Sequence, residues 1–147
     1  HDLRQKIAET MQAMFKENLG VDIQLAGMEG KVLTAQQKEL QLQFSSSSWL
    51  PDFADPINFI DIFRGGSPNN RTGWENGEFD GLLDRIATET DEAARFDMMH
   101  QAEKILIDDA VIMPLYFYNS AYLQNEKLTG VVRHPYGYID FKWADKQ

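Results

Sequence analysis

The chain has 147 residues, the usual length of one domain; 43% are hydrophobic and 25% charged, so it can bury a core and is not a disordered tail. Its 23 acidic and 14 basic residues leave a net charge of -9, which excludes the cationic footprint needed by a nucleic-acid binder or an anionic-lipid adhesin. There is no cysteine, which removes disulfides, thiolate metal sites and cysteine nucleophiles.

In chain order, the N-terminus carries no basic segment followed by an apolar one, and no stretch has the apolar length of a membrane span. Helix-like sequence begins within two residues, which leads us to expect the middle of a longer protein. Leu3, Ile7, Met11, Met14, Phe15 and Leu19 recur at helical spacing, predicting an amphipathic helix over 2–19 with Asp2 as N-cap and Gly20 just past its end. Val21 to Leu25 alternates and predicts a strand, 30–39 a second helix, and Leu40, Leu42 and Phe44 a strand running through the serines towards Trp49. The first helix is expected to pack on a sheet containing 21–25 and 40–48. Pro51 and Asp55-Pro56 break the pattern; Asp55 stands near an N-cap and Pro56 suits the first turn of a helix through Phe63. After the loop 65–70, helices are predicted over 76–87 and from the cap Asp91 to about Asp109, the latter with Ala94, Met98, Ala102, Ile105 and Leu106 facing inward. Val111 to Tyr118 reads as a buried strand, followed by short strands near 121–124, 130–133 and 139–143. From Met113 helices stop and aromatics become dense, which predicts two structural units, 1–112 and 113–147. The element order fits an α/β fold.

Familiar chemistry finds little footing. His1, His100 and His134 are far apart, and His100 with Glu103, one helical turn on, forms no HExxH pattern; a solvated helix face is the better reading, so no metal or cofactor is implied. Asp52, Asp55 and Asp61 lack the spacing and central glycine of a calcium loop. Gly65-Gly66-Ser67 has no phosphate-loop frame, and Asn70-Arg71-Thr72 is a formal glycosylation triplet that matters only in a eukaryotic secretory setting. No Gly-x-Ser-x-Gly elbow exists, and carboxylates three residues apart around a proline more often cap a helix than catalyse. Taken alone, the run from Ser48 to Ile60 is a sharp exit from a strand into a helix, with Trp49 in the core and Asp52 a solvated loop acid.

That run, Trp49-x-x-Asp52-Phe53-x-Asp55-Pro56-x-x-Phe59, resembles the W-x-x-D-Y-x-D-P-x-x-F segment of the bacterial extracellular solute-binding proteins of oligopeptide and dipeptide ABC importers. The likeness extends over nearly the whole chain. Phe15-x-x-Asn18-Leu19-Gly20-Val21-x-Ile23-x-Leu25, Asn76-x-Glu78-Phe79-Asp80-x-Leu82-Leu83, then Arg95, Ala102-Glu103-x-Ile105-Leu106 and Ile112-x-Pro114-Leu115-Tyr116 follow the family's order. The resemblance implies a non-enzymatic receptor of two lobes around a cleft, of which this chain is the C-terminal part. It would supply much of the second lobe up to about Ile112, then cross the hinge and return to the first. It also implies a peptide ligand, a membrane-embedded permease as partner, a remaining N-terminal part of the same protein, and a periplasmic or extracellular location. The dense aromatic tail would lack its packing partner and favour self-association.

By motif position, Asp52 would meet the peptide's ammonium group, Trp49 would line the same end of the cleft, and the backbone of Ser46, Ser47 and Ser48 would pair with the extended ligand. Pro51 stands where the family has a small or polar residue, and Phe53 replaces the commoner tyrosine. The serine run has no basic residue to meet a ligand carboxylate. The competing reading is a sugar-binding or carbohydrate-active fragment, with Trp49 as a stacking platform beside Asp52 and Asp55.

Overall fold

The computed structural model describes residues 2–134 and 136–147. His1 and the side chain of Asp2, with its predicted cap, lie outside the described residues. The chain divides into two compact units, 1–42 and 43–147.

The first unit holds helices α1 (Asp2–Leu19) and α2 (Gly30–Lys38). Ile7, Met11 and Phe15 are half-buried along one face of α1. α1 stops where predicted: Gly20 takes φ +68° and its amide donates to the Lys16 carbonyl. The predicted strand 21–25 does not form. Its residues join no ladder: the Val21 amide donates to the Phe15 carbonyl, and the Ile23 carbonyl accepts from the Gln12 side chain. α2 ends in a Schellman motif, with Leu40 donating to the Gln37 carbonyl and Gln41 to that of Gln36. Leu40 is thereby held at φ +54°, a left-handed conformation incompatible with the strand predicted to begin there. Residues 40–48 are consequently not a strand, and the expected sheet beside α1 is absent among the described residues.

The second unit contains the core. Helices α3 (Gly77–Thr88) and α4 (Glu92–Asp108) form an αα-hairpin across the three-residue connection Glu89–Asp91. Both helices are capped from the sequence: the Asn76 side chain accepts from the amides of Glu78 and Phe79, and the Asp91 side chain from that of Ala94. Phe79, Leu82, Leu83 and Ile86 face Met99, Ala102 and Leu106, with Ile60 joining them. Each of the large side chains among them, Ala102 excepted, stabilises the unit by about 1.5–3 kcal/mol. Of the residues expected to face inward on α4, Ala102 and Leu106 are buried and Ala94, Met98 and Ile105 partly so; Met99 is buried in addition. Trp74 meets Phe79 edge-on at 5.0 Å, and its indole N–H donates to the Asp109 carboxylate at 3.0 Å.

Between Asp55 and Arg64 the predicted helix is instead two short 3₁₀ turns, Pro56–Phe59 and Asp61–Phe63. The amides of Asn58, Ile60 and Phe63 bond three residues back, to Asp55, Ile57 and Ile60, the pattern of a segment too short to propagate an α-helix.

The predicted buried strand 111–118 is overturned. Val111 and Ile112 pack on the core, but from Met113 the run is exposed and forms no strand, with Phe117 95% accessible. No strand forms near 121–124 either. A strand needs a neighbour for its N–H and C=O groups, and no described segment supplies one here. The last residues make two small antiparallel ladders: β1 (Leu128–Thr129) with β4 (Asp145–Lys146), and β2 (Val132–Arg133) with β3 (Ile139–Asp140). β2 and β3 lie within the predicted strands near 130–133 and 139–143, shortened to two residues each. Gly130, at φ +71°, sits where a Cβ would fall 1.8 Å from the Trp143 carbonyl oxygen, so no other residue fits.

Candidate functional site

The proline-broken run between Trp49 and Ile60 folds into a tight turn organised by one residue, Asn58. Its side chain is buried, with 3% of the residue accessible, and its amide oxygen accepts two hydrogen bonds. One comes from the Trp49 indole N–H at 2.7 Å, the other from the Asp52 backbone amide at 3.2 Å. An amide oxygen has two lone pairs, so both are used. Trp49 is half-buried under this bond, and the Asp52 side chain stands exposed.

Asp55 closes the turn from the other side. Its Oδ1 accepts from the Ile57 amide at 3.0 Å, capping the first 3₁₀ turn as its position before Pro56 predicts, while Oδ2 meets the Arg95 guanidinium of α4 at 2.9 Å. The pair is only 28% and 24% accessible. The hydrogen bond from Arg95 holds the Asp55 carboxyl below its ordinary value against the opposing effect of burial, with the Ile57 amide and the guanidinium charge adding to it. Asp61 behaves oppositely: burial raises its carboxyl and Arg64 opposes.

The sequence-predicted residues are thus brought close along one segment. Trp49 and Asp52 share the Asn58 oxygen. Ser46, Ser47 and Ser48 precede them as exposed chain outside any ladder. Asp55 is occupied as cap and ion-pair partner, in line with a shaping role, and is not free to act with Asp52 as a pair of catalytic carboxylates. Sequence reasoning missed Asn58. The available signal was one amide inside the otherwise apolar run Ile57-Asn58-Phe59-Ile60. Arg95 entered only as a matched position, and its partner forty residues earlier is visible only in the fold. Among the described residues no group of three or more His, Asp or Glu could hold a metal ion, and no helix is long and apolar enough to cross a membrane.

No protein-family model matches the chain. It is 56% identical over 141 residues to the dipeptide-binding protein DppE of Bacillus subtilis, covering 96% of this chain. It is 42% identical over 146 residues to the oligopeptide-binding protein OppA of the same organism, covering 97%. In each case the chain spans 26% of the relative's length. Relatives in Escherichia coli are described as periplasmic peptide-binding proteins. Among solved structures, Listeria monocytogenes OppA bound to peptide superposes with a TM-score of 0.79 at 32% identity, over 97% of this chain and 27% of that one. By sequence and by fold, the chain matches a C-terminal part of the solute-binding proteins that serve oligopeptide and dipeptide ABC importers, a partial α/β lobe of the periplasmic-binding type.

Proposed function

We propose that the chain is part of the receptor of an ABC importer, which captures an extended peptide between two lobes and delivers it to a membrane permease. The observation that carries this reading is the 56% identity to a dipeptide-binding protein over 141 residues, nearly all of the chain. Residues 1–112 then belong to the second lobe, and 113–147 cross the hinge and return to the first. The exposure of Phe117 and Leu123 in the run after Met113 supports this reading, because large apolar side chains left in solvent mark a surface that another segment covers. The receptor is not an enzyme, and it acts in the periplasm or at the cell exterior. Hydrolysis of peptides or glycosides, abolished by Asp52→Ala or Asp55→Ala, would overturn that. The sugar reading finds no support in the relatives.

The chemistry follows from the turn. An exposed carboxylate beside a fixed indole offers an ionised, acceptor-only group to an ammonium, which has N–H donors to give. Closing a lobe over the pair removes water, so the ion pair holds only when both charges are present. Asp52 would thereby select a free N-terminus, with Trp49 walling that end. The backbone at Ser46–Ser48 would bond the ligand as an added strand, giving affinity with little dependence on ligand side chains.

The test is made on the full-length receptor. Asp52→Ala should weaken binding of a peptide with a free N-terminus by about 3 kcal/mol, more than about a hundredfold in Kd. An N-acetylated peptide should bind the wild type poorly and lose little more on mutation. Calorimetry showing a coupling below about 0.5 kcal/mol would remove Asp52 from the site. The 147-residue chain alone, with one wall of the cleft, should bind peptide weakly or not at all, and micromolar binding by it would contradict the two-lobed reading.

A further inference from the structure

The two groups assigned above to the peptide's N-terminal end hang on one buried atom. Asn58 Oδ1 receives the Trp49 indole from nine residues earlier and the Asp52 amide from six residues earlier, and so pulls the chain between them into a ring. Asn58 is itself fixed from behind. Its amide donates to the Asp55 carbonyl at 3.1 Å within a turn whose cap, Asp55, is anchored on Arg95 of α4. The chemistry demands a short side chain ending in an oxygen with two lone pairs, as in asparagine or aspartate. Two N–H donors need one oxygen with two lone pairs; serine is too short for the span, glutamine one methylene too long, and an apolar residue would leave both donors unpaired near the core.

We propose that Asn58 is a positioning residue for ammonium recognition: through one amide oxygen it locks the Asp52 main chain against the Trp49 indole and so fixes where the Asp52 carboxylate stands. The proposal rests on the reading of Asp52 as the ammonium partner. Asn58 touches no ligand in this scheme. Its effect is on the discrimination between a charged and a blocked N-terminus, because a carboxylate that wanders by an ångström loses the geometry of a desolvated ion pair while apolar and backbone contacts to the peptide survive. A residue that merely stabilised the turn would change Tm and leave that discrimination alone.

The experiment uses the full-length receptor and alanine peptides of about two to five residues, taking the tightest binder and its N-acetyl form. The quantity read by calorimetry is the ratio of their affinities, in the wild type, Asp52→Ala, Asn58→Leu and Asn58→Asp; hydrogen exchange at the Asp52 amide is read in parallel. Asn58→Leu should lower the ratio by about tenfold or more and speed exchange at Asp52. Asn58→Asp keeps an oxygen for both donors and should return the ratio to within about threefold of wild type or raise it. If Asp52→Ala abolishes the ratio while folded Asn58→Leu keeps it within about threefold, the positioning role falls and the reading of Asp52 stands. If the wild type shows no preference, or Asp52→Ala retains it, both fall. Where Asn58→Leu fails to fold, Asn58→Ser, too short to reach both donors, takes its place: a folded variant that loses the ratio tenfold with an unprotected Asp52 amide confirms the positioning role, and one that keeps the ratio within about threefold, or loses it with that amide still protected, overturns it.

Discussion

Two apolar stretches of this molecule meet opposite fates. In the α3–α4 hairpin Phe79 is fully buried, while in the run from Met113 to Leu123 Phe117 and Leu123 are almost wholly accessible. Hydrophobicity does not separate them, since both are rich in large apolar side chains. What separates them is where the backbone finds its partners. A helix satisfies its own N–H and C=O groups and needs only a neighbour for one face, which three residues of loop bring back. An extended run needs another strand as well as a covered face. The hairpin is therefore complete within 43–147, and the aromatic run stays exposed.

The sharpest way to break this contrast is to cut the hairpin. Phe79→Ala should cost about 3–5 kcal/mol, because it opens a cavity among Leu82, Met99 and Leu106, and chemical denaturation would read it as a fall in midpoint with the slope unchanged. Asp55→Ala should cost about 2 kcal/mol by removing a cap and leaving Arg95 partly buried without its partner. This second effect carries a pH signature. The Asp55 carboxyl is lowered on folding, so its contribution is fully present above the unfolded-state value of about 4 and disappears as pH falls through the lower folded value. The stability gap between wild type and Asp55→Asn should be flat above about pH 5 and close below about pH 4. A gap independent of pH would show that the ion pair contributes nothing.

Smaller effects sharpen the comparison at its boundary. α4 ends in a Schellman motif with Ala110 at φ +52°, a conformation glycine adopts without strain. Ala110→Gly should stabilise the hairpin by up to about 1 kcal/mol, and a thermal melt that moves down would show that the left-handed turn is not the limiting strain. Phe117→Ser should change the stability of the isolated chain by less than about 0.5 kcal/mol. If the exposed aromatic surface drives self-association, as we propose, the same substitution should weaken it, read by sedimentation velocity. A wild-type chain that stays monomeric at high concentration would contradict that surface's role.

The helices were legible because their signals are local. α1, α3 and α4 carry their caps or stops in the residues themselves: Gly20, Asn76 and Asp91. Asp55 before Pro56 likewise announced its capping role, although the segment behind it settled into 3₁₀ turns. The strands at 21–25, 40–48 and 111–118 were read from alternation or apolar run length alone. Such patterns report which face would be covered, not whether a neighbouring strand is present. Leu40 shows a second limit, since nothing about leucine announces a left-handed helix stop. In the site, Trp49 and Asp52 were found by motif. Asn58, which bonds both, and Arg95, which anchors Asp55, act through distances that only the folded chain defines.

The Asp55–Arg95 bond also fixes an order of events during synthesis. Its two halves are separated by about forty residues, which a ribosome adds in roughly 2–8 s at about 5–20 residues per second. Until α4 has emerged and docked, the motif turn has its internal bonds but no anchor, and Trp49 and Phe53 remain accessible to other chains. The motif turn is thus anchored only once α4 has docked, which makes the preceding interval the period in which this part of a nascent chain is most exposed to capture by chaperones or to misassembly.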